Sequence, residues 1–359
     1  TSYHIPVRFA ASAASYVFLA STIPAILFGA AAGIYINQYP KKQIMVVADL
    51  IRGSLLLLLL ILPKEFIFLL LITFTISIVT QAFAPAEQSA IPLVVKTENL
   101  LTANALFTTT QTASIIVGFA IGEPILAAAT NISKDGAQEI FVASLYFAAA
   151  GLGQLIKIEE EINTSKHARK INPWYELKDG FKYLQSNKLL LNAMLQLAVF
   201  SSTIAALPIL AINLTTKVGL EPKQFGFLVA AAGIGLVFGA GFLGHFGSRL
   251  QQKSLPLMGF IGMSLVLAIF AFVHNIWIGL LCGGVLGLGA SLVAVPTQTL
   301  VQEKTPESLR GKVFGFQNNV VNIAVSLPLV IIAPLTDRFG LQPVLWGMSM
   351  IVTIAGILT

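Results

Sequence analysis

Leu55-Leu56-Leu57-Leu58-Leu59-Leu60-Ile61-Leu62 runs into Pro63-Lys64-Glu65, and Phe66-Ile67-Phe68-Leu69-Leu70-Leu71-Ile72 follows at once. The apolar runs on either side of this break extend over residues 43–62 and 66–86. They are too long for strands and show no alternation of apolar and polar positions. About 20 mostly apolar residues let an α-helix cross a bilayer, so the stretch reads as two spanning helices joined by a short charged turn.

The same pattern recurs along the chain. Further runs lie at 14–37, 99–129, 138–157, 189–214, 224–247, 255–273, 276–298, 312–335 and 341–359, which makes eleven expected spans. Composition agrees with this reading. Of 359 residues, 56% are hydrophobic and 11% charged, whereas a soluble domain carries about 25% charged residues. Such a chain cannot cover its surface with polar groups, which excludes a soluble enzyme, a disordered chain and a disulfide-stapled secreted domain. Cys282 is the only cysteine, so neither an internal disulfide nor a cysteine zinc site is expected.

The formal charge of +6 is explained by topology rather than by nucleic acid. If the polar segment from Glu159 to Lys188 is cytoplasmic, fifteen lysines and arginines fall on its side, among them Lys41, Lys42, Lys253 and Arg310. The opposite side receives six: Arg8, Lys64, Lys134, Lys217, Lys223 and Arg338. This asymmetry sets the orientation. The expected location is the cell (inner) membrane, multi-pass, with the central loop cytoplasmic.

Residues 158–188 divide the chain. Within them Trp174, Leu177, Phe181 and Leu184 share a helical face with Lys178, Asp179 and Lys182 between them. That is an amphipathic helix, lying either at the membrane interface or packed as a linker. The flanking portions resemble each other. Phe28-Gly29-Ala30 recurs as Phe238-Gly239-Ala240, Pro85-Ala86-Glu87-Gln88 corresponds to Pro296-Thr297-Gln298, and Glu98-Asn99-Leu100 to Glu307-Ser308-Leu309. The offsets are 210, 211 and 209 residues. A duplicated unit with parallel repeats follows: an all-α integral membrane protein with one bundle at 1–157 (spans 2–6) and a second at 189–359 (spans 7–12). A first helix is then expected to be missing before residue 14.

Several stretches resemble the major facilitator superfamily, and within it the drug/proton antiporter branch that includes macrolide and siderophore exporters. They are Pro24 to Gly33, Asp49-Leu50-Ile51-Arg52, Phe83 to Pro92, Leu101 to Leu106, and Leu309-Arg310-Gly311-Lys312-Val313-Phe314-Gly315. The resemblance implies two helical bundles around a central cavity, transport of small molecules and no enzymatic reaction. It also implies an acidic residue in the loop after the second helix that holds the cytoplasmic side closed. Here Asn37 and Gln38 stand at the acidic position and its basic neighbour, and His245 stands at the equivalent acid of the second half.

Charges inside spans are rare and usually functional. Glu123, in Gly118-Phe119-Ala120-Ile121-Gly122-Glu123-Pro124, reads as a proton-coupling or cation-recognising carboxylate, because an apolar setting favours its neutral form. The alternative is a glutamate at the outer interface beside a helix-loosening proline. Gly118 and Gly122 are expected to serve close helix packing. Asp49 and Arg52 lie three residues apart on one helical face, where a structural pair is expected. Glu87 joins them as part of a gating network. Among uncharged groups, Gln111, Gln196, Gln317, Asn318 and Asn322 are candidates to line a substrate cavity or to hydrogen-bond neighbouring helices. The glycines from Gly233 to Gly244 and from Gly283 to Gly289 have no preceding strand and no phosphate-binding lysine, so they serve helix packing rather than nucleotide binding.

The expected function is secondary active transport by alternating access: proton-coupled export of small amphipathic compounds by a monomer. No cofactor, metal or nucleic acid takes part. The alternatives are an importer or lysolipid flippase of the same fold, and a membrane scaffold or assembly subunit without transport.

Overall fold

A computed structural model describes residues 10–36, 38–132, 136–158, 173–217, 225–247, 250 and 254–358. Among these the chain forms twelve α-helices and no strand. They are α1 (Ala10–Ile36), α2 (Lys41–Leu58), α3 (Phe66–Val94), α4 (Leu100–Ile132), α5 (Ala137–Leu155), α6 (Pro173–Ser186), α7 (Lys188–Lys217), α8 (Gly226–Phe246), α9 (Leu255–Phe270), α10 (Ile276–Lys304), α11 (Arg310–Phe339) and α12 (Leu341–Ile357).

Each helix except α6 coincides with one of the apolar runs. Six segments are both long and apolar enough to cross a membrane, lying on α1, α3, α7, α8, α10 and α11; α9 and α12 are shorter apolar helices. Large apolar side chains point away from the protein along these helices, with Phe238 73% and Trp277 76% exposed. A water-facing surface would not carry so many of them, whereas lipid accepts them without cost. The chain is a multi-pass membrane protein.

Helix ends follow local chemistry. Pro40 precedes α2, and its carbonyl accepts the Ile44 N–H at 3.1 Å. Gly340 turns the chain from α11 into α12 at φ +81, a left-handed conformation that favours glycine. The two similar portions also enter corresponding helices in the same way. Thr97–Asn99 forms a 3-10 turn before α4, and Glu307–Leu309 forms one before α11. In each a backbone bond of 2.9 Å closes the turn, Asn99 to Lys96 and Leu309 to Pro306. The sequence pair at Glu98 and Glu307 is therefore a structural pair.

The helices gather into two compact units. The first holds Thr1–Val94, Ala120–Leu184 and Thr305–Asn322; the second holds Val95–Phe119, Gln185–Lys304 and Ile323–Thr359. Two helices thus divide their length, since the leading half of α4 belongs to the second unit and the leading half of α11 to the first.

The second unit has the larger core, built on Phe260, Met263, Leu267, Leu286 and Leu345, all fully buried. Its helices approach through glycine. A side chain at Gly235 would meet the backbone of Gly284 and one at Gly287 the backbone of Ala232, while one at Gly259 would lie 2.5 Å from the Gly289 carbonyl. Gly235 and Gly239 of α8 and Gly283 and Gly287 of α10 therefore serve close helix packing. Gly118 and Gly122 differ, because nothing lies within 4 Å of where their side chains would project.

In the first unit, Ile36, Met45, Ala86 and Ala90 form a smaller core where α1, α2 and α3 meet. Gly33 of α1 and Gly315 of α11 touch backbone to backbone: a side chain on Gly33 would lie 2.7 Å from the Gly315 Cα. Gly180 and Phe181 of α6 lie against Phe316 of α11, with the phenyl rings 6.3 Å apart. Leu184 is buried, while Tyr175 and Phe181 stay exposed. α6 thus presents a packed face and an open one.

Candidate functional site

In the first unit, α2 buries both members of a charged pair. Arg52 Nη1 donates to Asp49 Oδ1 at 2.9 Å, and the two side chains lie one turn apart on the face turned inward. The guanidinium sits 4.4 Å over the centre of the Phe83 ring and 5.8 Å from that of Tyr146. Cations over aromatic faces in dry surroundings gain about 2 kcal/mol. Gly53 makes room for this arrangement, because Phe147 of α5 fills the space beside it. Arg52 Nε and Nη2 are buried without an acceptor among the described residues. Glu87 of α3 is partly buried and within electrostatic reach of both Arg52 and Asp49. The site therefore holds two carboxylates, one guanidinium and two guanidinium nitrogens whose N–H groups are not yet used. Such a cluster can exchange one ion pair for another within a single pocket.

A second polar cluster joins α3 to the leading half of α11. Gln81 is buried, and its Oε1 accepts from Asn318 Nδ2 at 2.8 Å and from Asn322 Nδ2 at 3.1 Å. Its Nε2 donates to the Ser77 carbonyl at 3.0 Å. Three of the four hydrogen bonds an amide can make are thus in place. Asn319, the residue between, donates to the Ile26 carbonyl of α1 at 2.5 Å.

A counterpart occurs in the second unit, between the leading half of α4 and α10. Asn104 Nδ2 donates to Gln302 Oε1 at 2.7 Å and lies 3.1 Å from Thr299 Oγ1 and 3.0 Å from the Leu100 carbonyl. Its two hydrogens are shared among three acceptors. Close to it, Leu101 and Ala105 of α4 pack on Ala240 and Leu243 of α8. Thr102 donates to the Gly244 carbonyl at 3.1 Å. Interhelical bonds of this kind are worth about 0.6 kcal/mol each in membranes.

The amides expected from the sequence therefore divide. Asn318 and Asn322 meet on Gln81. Gln196 is buried and accepts from Thr297 Oγ1 at 3.1 Å. Gln317 is buried, and Gln111 is exposed. Asp49 and Arg52 meet each other, with Glu87 beside them. Glu123 belongs to α4, but its side chain lies outside the described residues, as do Asn37 and the 159–172 segment. Gln81, Asn104 and Gln302 were not singled out from the sequence. A glutamine in an apolar run at Gln81 was the available signal, because an amide facing lipid is costly.

The second unit also contains an apolar cavity of about 490 Å³ between α7, the trailing half of α11 and α12. Leu327, Pro328, Ile331, Val344 and Met348 line it, with Ser202 and Thr203 of α7 at its wall. Its size falls in the range of small-molecule sites, about 300–1,000 Å³.

Comparison with known proteins places this architecture. A sequence model of the Major Facilitator Superfamily matches residues 2–328. Macrolide efflux protein A of Streptococcus pyogenes is 24% identical over 341 residues, covering 91% of this chain and 82% of that protein. The enterobactin exporter EntS of Escherichia coli O1:K1 / APEC is 25% identical over 249 residues, 67% of this chain and 56% of that protein. Among solved structures, the E. coli fucose:proton symporter superposes with a TM-score of 0.77 over 98% of this chain and 91% of its own, at 13% identity. At that identity the likeness shows the fold.

Proposed function

The chain belongs to the Major Facilitator Superfamily, a family of transporters rather than enzymes, and from that premise we propose that it is a proton-coupled exporter of small amphipathic compounds working by alternating access. The observation that carries this reading is the match to a macrolide efflux protein across 91% of this chain. In this reading eleven helices span the cell membrane, all those described except α6, and act as a monomer. The two bundles are residues 1–157 and 189–359, joined by a cytoplasmic linker at 158–188. The loops at 38–42, 248–254 and 302–311 face the cytoplasm with that linker.

Each site residue then has a role. Asp49, Arg52 and Glu87 form the gating charges, since Arg52 has spare donors beside a second carboxylate. Glu123 carries the coupled proton, because it has no basic residue on its own helix to neutralise it. Gln111, Gln196 and Gln317 supply polar contacts to the substrate. Asn318 and Asn322 do so when released from Gln81. No nucleotide-binding motif is present in the sequence, so the energy comes from an ion gradient or from the substrate gradient itself.

Accumulation of a radiolabelled macrolide in cells tests the proposal. Cells expressing the chain should hold less of the compound than cells carrying an empty vector, and a protonophore should abolish the difference. Equal accumulation would remove macrolides as substrates, and persistence of the difference with protonophore would remove proton coupling. Glu123→Gln should keep the protein folded but lose the response of export to an imposed pH gradient. A normal response would return Glu123 to the role of an interface residue. For orientation, Lys42→Cys should resist an impermeant thiol reagent added outside intact cells; efficient labelling would invert the topology.

A further inference from the structure

α4 and α11 are the two helices whose leading halves belong to a different compact unit from their trailing halves. Each leading half carries an asparagine donor, partly buried on α11 and fully buried on α4, and each donor reaches a buried glutamine on a neighbouring helix. In the first unit, Asn318 and Asn322 reach Gln81 of α3. In the second, Asn104 reaches Gln302 of α10. By the repeat pattern, α3 corresponds to α10 and α4 to α11, so the two clusters join corresponding helices in opposite order. Both pairings also connect residues 1–157 with residues 189–359. Beside each one, a small-residue seam brings further helices together: Gly33 on Gly315 in the first unit, and Ala105 under Gly244 in the second.

We propose that Gln81 and Gln302 are the receivers of two uncharged amide latches, which hold the leading halves of α11 and α4 in place and must release during each transport cycle. These are positioning residues. The inference rests on the alternating-access reading, since it gives the latches a cycle in which to open. Chemistry supports an amide here. A carboxylate–guanidinium pair in an apolar bundle is costly to separate, because each charge is left unpaired. An amide pair parts at far lower cost and needs no proton, because both groups remain neutral. The latch also has more than one contact on each side. Gln81 takes two donors, and Asn104 lies against both Gln302 and Thr299, so release is stepwise.

The test reads exposure of buried positions beside each latch in purified protein in detergent, with Cys282→Ala as background. Ile34→Cys, next to Gly33, reports on the first latch, and Leu101→Cys, which packs on Gly247, on the second; both positions are buried. Labelling by an impermeant maleimide is timed in each. Gln81→Met keeps the volume and removes the acceptor, and should speed labelling of Ile34→Cys about threefold for each hydrogen bond lost. Gln81→Glu in its neutral form, which burial favours, keeps a carbonyl acceptor for the two asparagines and a donor for the Ser77 carbonyl, and should restore slow labelling. Gln302→Met should act the same way on Leu101→Cys. The combination of Gln81→Met, Asn318→Leu and Asn322→Leu removes the donors together with their acceptor, so it keeps the test open if Gln81→Met alone fails to fold. Fast labelling of the combination supports the latch. Labelling of Gln81→Met or the combination as slow as that of the parent would overturn it, since volume alone would then hold the helices. No transported compound enters this assay, so failure of the latch and failure of the export reading are separate results.

Discussion

The layer formed by α8, α9 and α10 and the layer formed by α2, α3 and α5 are both built from apolar helices, yet they close in opposite ways. In the first, glycine meets backbone: Gly235 faces Gly284, and Gly259 faces Gly289. In the second, glycine meets a ring, with Gly53 against Phe147. At these two contacts the helices meet with no side chain between their backbones. In the layer with the ring contact, long side chains are buried too: Arg52 lies over the Phe83 ring, near Tyr146, and is paired with the Asp49 carboxylate. The difference teaches where chemistry can reside in such a bundle. The glycine layer is nearly without charge, while the aromatic layer accommodates a charge cluster.

The largest effect expected from breaking this contrast lies at the ion pair. Arg52→Met removes the only cation in contact with Asp49 among the described ion pairs, and leaving a buried charge unpaired costs about 3–5 kcal/mol. Most of the protein should be lost from the monodisperse fraction after detergent extraction. The exchange Asp49→Arg with Arg52→Asp should retain more folded protein than either single neutralisation. If the exchange is no better than the singles, the pair does not hold the layer together.

Next comes the glycine layer. Gly287→Val would drive a side chain into the Ala232 carbonyl, where only backbone could move aside. Overpacking of this kind costs about 1–3 kcal/mol and sometimes more. Gly241→Ala on the same run of glycines has nothing within 4 Å and should be neutral or slightly stabilising. Thermal unfolding of the two variants in detergent should separate them clearly. Equal melting would mean that the layer has more slack than its geometry indicates.

These contrasts also show what was legible in the sequence. The long apolar runs carried the helix positions, because a span must satisfy its own backbone and only a helix does so. The spacing of Asp49 and Arg52 carried the pair, since three residues on a helix share a face. The repeat carried the matching 3-10 turns at Glu98 and Glu307. Periodicity gave no partner for Asn318 or Asn104, because the groups that receive them, Gln81 and Gln302, lie about 200 residues away on other helices. Gly118 and Gly122 have the same spacing as packing glycines elsewhere, yet face no described neighbour. Spacing marks a smooth helix face, not what that face meets.

A smaller effect is expected where a polar group in the second unit makes one interhelical bond. Gln196→Met takes away the acceptor of Thr297 and keeps the volume. The loss should be about 0.6 kcal/mol, the mean for such bonds in membrane helices. A loss several times larger would mean that Gln196 organises more of α7 than this one contact.

The smallest effect belongs to Ser264, and it sharpens the comparison from the other side. Ser264 Oγ lies 3.0 Å from the Ser349 carbonyl, 3.0 Å from Ser349 Oγ and 2.5 Å from Thr353 Oγ1. Three contacts to one buried hydroxyl would ordinarily mark a costly deletion. Its partners, however, have bonds of their own. Ser349 Oγ donates to the Ser264 backbone carbonyl at 2.9 Å, and Thr353 Oγ1 donates to the Ser349 carbonyl at 2.8 Å. Ser264→Ala leaves both of these in place, because neither uses the deleted oxygen. No donor is orphaned, so the penalty that makes buried polar deletions expensive does not arise. The expected change is below about 0.5 kcal/mol, within the range of a neutral substitution. Arg52 lies at the opposite extreme, since Asp49 has no cation in its place among the described ion pairs. Measured together in thermal unfolding, Ser264→Ala and Arg52→Met should bracket the series. A large loss at Ser264 would show that α9 and α12 depend on the hydroxyl itself, and the glycine layer would then owe part of its stability to polar contacts.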